Sequence, residues 1–316
     1  MPPFSWNILK LKTIKATLAF LIGSVITNAF AANSCFEHFY DVQKMYTTNN
    51  FDATIAHTDS MGINLYALTH LYINNTPYTT WKSLNGELDG YALKGLKGID
   101  FNKDREYVGA MLWHQSLIFD KIMHSQTILK NYECTLVGRT RISGRKVVVS
   151  KLSPVDDARY SFLIASDDET NLPVEMSVIA PSNALVTKFT VTAMHSVNAK
   201  NGSFPDDVFD SIKLNPKKDL SLAEIWPELT IPSYFALCDY GVQKMGNEMV
   251  DYLTFTDGLV DFRVYRNSKT TVMIPSATDG TISVFRKKDQ FFEYAVAGEI
   301  PLAMSKIILS KIISNE

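Results

Sequence analysis

Along most of the chain, apolar residues recur at every second position in short runs broken by clusters of Asp, Asn, Gly and Pro, the rhythm of antiparallel strands and turns. Phe51, Ala53 and Ile55 alternate with Asp52, Thr54 and Ala56, and Leu65, Ala67 and Thr69 carry the pattern on through Leu71 to Ile73. From Trp81 to Gly98 the glycines Gly86, Gly90, Gly95 and Gly98 mark turns between short elements. The clearest stretch is Lys146 to Val197. There Tyr160, Phe162 and Ile164 share one face, Val174, Met176 and Val178 another, and Leu185, Phe189, Val191 and Ala193 a third. The separators Asp167 to Asn171 and Pro181-Ser182-Asn183 have turn chemistry, so this is an antiparallel meander with one face buried.

Helical spacing shows in three places. Phe36, Phe39, Tyr40 and Tyr46 predict an amphipathic helix that ends at Asn49-Asn50. Leu112, Ser116, Phe119, Ile122 and Met123 predict one or two helices between Met111 and Lys130. Pro301 stands where a last helix begins, and Leu302 to Ile313 is apolar enough to pack that helix on a sheet. Strands also follow Trp226-Pro227, with turns at Asp257-Gly258 and Asp279-Gly280. The predicted fold is therefore mainly β (α+β): an N-terminal β domain over 33–197, a linker over 198–220 and a smaller C-terminal α+β domain over 221–316.

The first residues follow another rule. Lys10, Lys12 and Lys15 precede the apolar run Ala16 to Ile26, and Ala29-Phe30-Ala31-Ala32 supplies the small residues a signal peptidase reads. Residues 1–32 are expected to be a signal peptide cleaved at Ala29, Ala31 and Ala32, since the run is shorter than the ~20 residues a membrane span needs. Export to an oxidising compartment follows. Cys35 lacks the aliphatic residue three places earlier that a lipoprotein signal carries. With only Cys35, Cys134 and Cys238, two can pair and one is left over, but a disulfide-built scaffold is excluded. Cys134, in the apolar setting Cys134-Thr135-Leu136-Val137, reads as a buried free thiol.

Charge narrows the partners. With 31 basic and 33 acidic side chains the net charge is −2, which gives no non-specific grip on nucleic acid. Phosphate loops, dinucleotide fingerprints, His-Glu-x-x-His and nucleophile elbows are all missing from the sequence, and six scattered histidines lack ligand spacing. The expectation is a binding protein with no enzyme activity, no catalytic residue, no metal and no cofactor. The carboxylates Asp167-Asp168-Glu169 fall in a turn and read as solvated. Arg139 and Arg141, on one side of a strand, are candidates either for gripping a carboxylate or phosphate or for pairing with neighbouring strands. Tyr78, Trp81, Tyr91 and Trp113 are candidates for lining an apolar ligand groove, with core packing as the alternative.

Val137-Gly138-Arg139-Thr140-Arg141-Ile142, Arg159-Tyr160-Ser161-Phe162 and Asp168-Glu169-Thr170-Asn171-Leu172-Pro173 resemble the periplasmic sigma-E factor regulatory proteins of the MucB/RseB family. So do Trp226-Pro227 with Ile231-Pro232, Thr256-Asp257-Gly258-Leu259 and Gly298-Glu299-Ile300-Pro301. The resemblance covers the mature chain and implies an N-terminal LolA-like unclosed antiparallel β-barrel with covering helices, plus a smaller C-terminal domain. It also implies binding to the periplasmic part of a transmembrane anti-sigma factor, protection of that partner from regulated proteolysis, release by lipopolysaccharide or another lipid, and homo-oligomers. A periplasmic lipid or lipoprotein carrier is the alternative, marked by stoichiometric acylated cargo and no anti-sigma factor. An envelope hydrolase is the third, marked by an activity lost on replacing one histidine.

Overall fold

The computed structural model describes residues 34–95, 97–102, 105–108, 117–125, 128–196, 209–210, 212, 222–227, 229–245, 247–268, 276–289 and 291–313. The expected signal peptide with Ala29, Ala31 and Ala32, together with Trp113 and most of 198–220, lies outside the described residues.

Helix α1 (34–48) buries Cys35, Phe39, Val42 and Tyr46, a stripe at steps of four, three and four, while Phe36 and Tyr40 stack half-exposed beside it. It stops where Thr47, Thr48 and Asn49 turn their side chains back onto the carbonyls of Gln43, Lys44 and Met45.

Eleven antiparallel strands follow, in the order β6-β5-β4-β3-β2-β1-β11-β10-β9-β8-β7. They are β1 (Phe51–Asp59), β2 (Gly62–Ile73), β3 (Thr76–Ser83), β4 (Gly90–Lys94), β5 (Lys97–Asp100), β6 (Arg105–Val108), β7 (Tyr132–Ile142), β8 (Arg145–Pro154), β9 (Ser161–Asp167), β10 (Pro173–Ile179) and β11 (Leu185–Ser196). The two outermost strands, β6 and β7, do not pair with each other, so the sheet is unclosed. Gly90 is required at its place: a Cβ there would stand 2.1 Å from the Trp81 carbonyl oxygen.

The meander departs from the predicted faces at both ends of β11. Register shifts there displace the pairing by one residue, between Thr54 and Ile55 of β1 and between Val178 and Ile179 of β10. Thr187, Phe189 and Val191 stay buried, but beyond each shift the parity flips. Leu185 and Ala193 therefore face solvent, and Val186 and Met194 pack on the core in their stead.

Helices α2 (Leu117–His124) and α3 (Ile128–Asn131) link β6 to β7 in the chain, and α2 packs its apolar side chains into the core of the first sheet. After the short α4 (Leu222–Ile225), a second sheet runs β12-β13-β14-β17-β16-β15. Its strands are β12 (Ala236–Met245), β13 (Glu248–Thr256), β14 (Asp261–Asn267), β15 (Ala277–Asp279), β16 (Ile282–Lys288) and β17 (Glu293–Gly298). Helix α5 (Leu302–Ile313) starts on the Pro301 carbonyl and buries Met304, Ile308 and Leu309 against that sheet. One continuous apolar core, from Phe39 and Trp81 through Phe162 to Phe235, Phe262 and Ile308, joins the two sheets. At about 1.5–3 kcal/mol per buried large side chain, this shared core dominates cohesion.

Candidate functional site

Three places gather chemistry: the hollow of the first sheet, the seam between the sheets, and the free edge at β7.

The hollow is filled by helices. Asp120 on α2 is buried and accepts from Tyr46 Oη at 2.5 Å, Trp81 Nε1 at 2.8 Å and Tyr91 Oη at 2.6 Å. Burial pushes its carboxyl up, and the donors and His124 only partly offset this. Gln43 of α1 donates to the carbonyls of Ile122 and Ser125, satisfying the end of α2. His70 donates from Nδ1 to the Asn49 carbonyl at 2.8 Å, and its buried Nε2 meets no partner. Desolvation drops its pKa to about 4, because charging the ring would bury a second N–H with nothing to accept it.

The predicted groove is corrected by this arrangement. Trp81 and Tyr91 are core residues fully covered by α2, and Tyr78 is buried beneath the Lys94 ammonium. Asp120 escaped the sequence reading because an isolated acid in an apolar run carries no motif; its helical step of three to Met123 was the local clue.

Cys134 is corrected as well. It is not a free thiol but is joined to Cys35, with Cα atoms 5.6 Å apart, so α1 is stapled to the root of β7. The apolar surroundings suit either state of Cys134; what decides is the entry of α1 beside β7, which local sequence does not show. Cys238 is the free cysteine, its thiol pushed up to about 12 by burial.

At the seam, Arg159 lies with its side chain wholly buried. Its Nη1 meets Asp257 Oδ2 at 2.5 Å, its Nε meets Asp156 at 2.5 Å, and its Nη2 donates to the Asn131 carbonyl at 2.9 Å. The guanidinium also packs on the rings of Tyr234 at 4.1 Å and Tyr132 at 4.8 Å. Tyr132 Oη donates to the same Asp257 oxygen at 2.8 Å. The other Asp257 oxygen caps the Asp257-Gly258 turn by accepting from the amides of Leu259 and Val260. Nearby, Lys121 of α2 bridges Asp261 at 2.6 Å and Glu299 at 2.5 Å, and Tyr160 Oη donates to the Thr281 carbonyl at 3.2 Å. Burial raises Glu299 to about 7 despite Lys121, and its Oε1 has no hydrogen-bond partner. Gly298 lets the chain pass within 2.4 Å, from where its Cβ would stand, of Phe262 Cα. Arg159-Tyr160, Asp257-Gly258 and Gly298-Glu299, far apart in sequence, thus meet at one interface.

At the edge, β7 pairs with β8 alone. Residues 135–141 are all exposed, with Leu136 at 40% and Val137 at 57%. Arg139 reaches Asp168 at 3.4 Å, and Arg141 donates to the Gly144 carbonyl within its own hairpin. Asp167, by contrast with its predicted solvation, is buried: it accepts from the amides of Glu169 and Thr170 and from Arg145, and these bonds hold its carboxyl below the usual range against the pull of burial. Among the described residues no cluster of three His, Cys, Asp or Glu side chains is placed to hold a metal, and no helix is long and apolar enough to cross a membrane.

Fold and sites together define a class: two-module β proteins in which an unclosed antiparallel sheet wraps helices and is keyed to a smaller α+β module. Within that class, the chain belongs to the MucB/RseB family, whose N-terminal domain model matches residues 37–213. It is 21% identical over 279 residues to the sigma-E factor regulatory protein RseB of Haemophilus influenzae, covering 83% of this chain and 86% of that one. It is 23% identical over 283 residues to RseB of Escherichia coli K12, covering 83% and 85%. The fold matches MucB in the Pseudomonas aeruginosa MucA/MucB complex with a TM-score of 0.65 at 17% identity, over 87% of this chain and 96% of that one.

Proposed function

We propose that the protein is a periplasmic negative regulator of the envelope stress response. It binds the periplasmic region of a transmembrane anti-sigma factor, shields it from regulated proteolysis, and lets go when lipopolysaccharide or another lipid-like signal binds. The observation that carries the reading is family membership across most of the first module, supported by a relative of the same two-module fold solved together with MucA. The protein acts by occupancy and needs no catalytic group. Regulation requires only that partner and signal favour different states of it, and their differential affinity sets how far occupancy shifts.

The test uses residues 33–316 and the recombinant periplasmic region of the anti-sigma factor encoded beside a sigma factor in the same genome. Calorimetry is expected to give a saturable complex, and the bound partner is expected to resist the protease that cleaves it when free. No heat of binding with a well-folded partner at 100 µM sinks the reading.

A further inference from the structure

A long strand edge is a hazard that proteins usually blunt, and β7 is blunted only in part. Its register with β8 shifts between Leu136 and Gly138, a bulge that leaves Val137 without a cross-strand mate and exposed. Beyond the bulge, Thr140 stands opposite the buried Val147, so Arg139 and Arg141 share the other face with Lys146. Arg141 and Lys146 are directly opposite each other, a like-charge pair that weakens a ladder. Asp168 answers Arg139, but among the described residues no carboxylate pairs with Arg141 or Lys146. The Cys35–Cys134 bond fixes the root of the strand to α1.

A ladder that keeps an uncompensated cation pair beside bare apolar side chains and unpaired backbone groups is complementary to a strand that brings carboxylates. We propose that the β7 edge from Thr135 to Arg141 is a docking strip for an extended, acidic peptide segment of the partner protein, which adds to the first sheet as a twelfth strand. Main-chain hydrogen bonds along β7 hold the segment, Arg141 and Lys146 pair with its acidic side chains, and Leu136 and Val137 cover its apolar ones. The inference rests on the anti-sigma-factor reading and specifies where that partner touches.

The test compares wild type with R139E/R141E/K146E, measuring affinity for the recombinant anti-sigma periplasmic region at 50 and 300 mM salt and amide hydrogen exchange across β7 in the complex. The inference expects a wild-type Kd that weakens with salt, a loss of at least tenfold in the variant with an unchanged melting temperature, and new protection of residues 135–141 on binding. Wild-type failure to bind sinks the parent reading; binding by both proteins with equal Kd and an unprotected β7 sinks this inference alone. If the variant loses retention on phosphatidylglycerol vesicles but keeps the anti-sigma factor, the strip serves a lipid surface and the proposal is overturned. A variant that melts early is replaced by R141Q/K146Q, for which at least a threefold loss is expected and an equal Kd is fatal.

Discussion

The seam between the modules and the edge at β7 use the same residue type to opposite ends. Arg159 has no exposed side-chain surface, and each of its three guanidinium nitrogens donates to a fixed acceptor, whereas the Arg139 side chain is 76% exposed and touches one carboxylate at 3.4 Å. A guanidinium taken fully out of water is tolerable only when paired on all sides, so the seam is a structural lock. A guanidinium left in water adds little stability and keeps its binding capacity. Environment, not residue identity, separates the two roles.

The most severe way to break the lock is R159M. It strands Asp257 in the seam without its cation, and a loss of about 3–5 kcal/mol in urea unfolding is expected; a loss under 1 kcal/mol would mean the seam is wet. Removing the staple with C35S/C134S is expected to cost about 2–4 kcal/mol. Because the bond anchors β7, amide exchange should rise there more than at the seam, and a uniform rise would contradict the anchoring.

Acidity sharpens the contrast within the buried regions. His70 has a folded pKa depressed to about 4. Its contribution is present above the unfolded value near 6.5 and fades as pH falls toward 4, by up to about 3 kcal/mol at 1.36 per unit. H70N should flatten that limb of the stability curve. Glu299 runs the other way: raised to about 7, it contributes fully below its ordinary value near 4.5, and the contribution is lost as pH rises through 7. E299Q, with Asp261 still holding Lys121, is expected to gain stability above pH 7 and to change little at pH 5; a loss above pH 7 would show that the Glu299 charge is wanted. Least affected is the edge, where R139A should move stability by no more than about 0.5 kcal/mol.

Much of this architecture was legible beforehand. The period-two runs marked β1 and β9 to β11, the turn residues marked their ends, and Pro301 marked the last helix, because each signal is local. What escaped depends on contacts distant in sequence. The two register shifts that flip Leu185 and Ala193 outward are set by neighbouring strands, and the union of Cys35 with Cys134 spans 99 positions. Trp81 and Tyr91 look alike in sequence whether they line a groove or pack a core; only the arrival of Asp120 on α2 decides. Arg159, Asp257 and Glu299 of the seam were visible as family marks, but their convergence and their partners Tyr132, Asp156 and Lys121 were not.

The continuous core has a practical corollary for anyone dissecting the molecule by truncation. A fragment stopped near residue 197 would lose Asp257 and the rings of Tyr234 and Phe235 that shelter Arg159, baring Tyr132 and Tyr160 to water. Such a half is expected to aggregate, so a loss of binding in it would reflect a flayed surface rather than a missing recognition element.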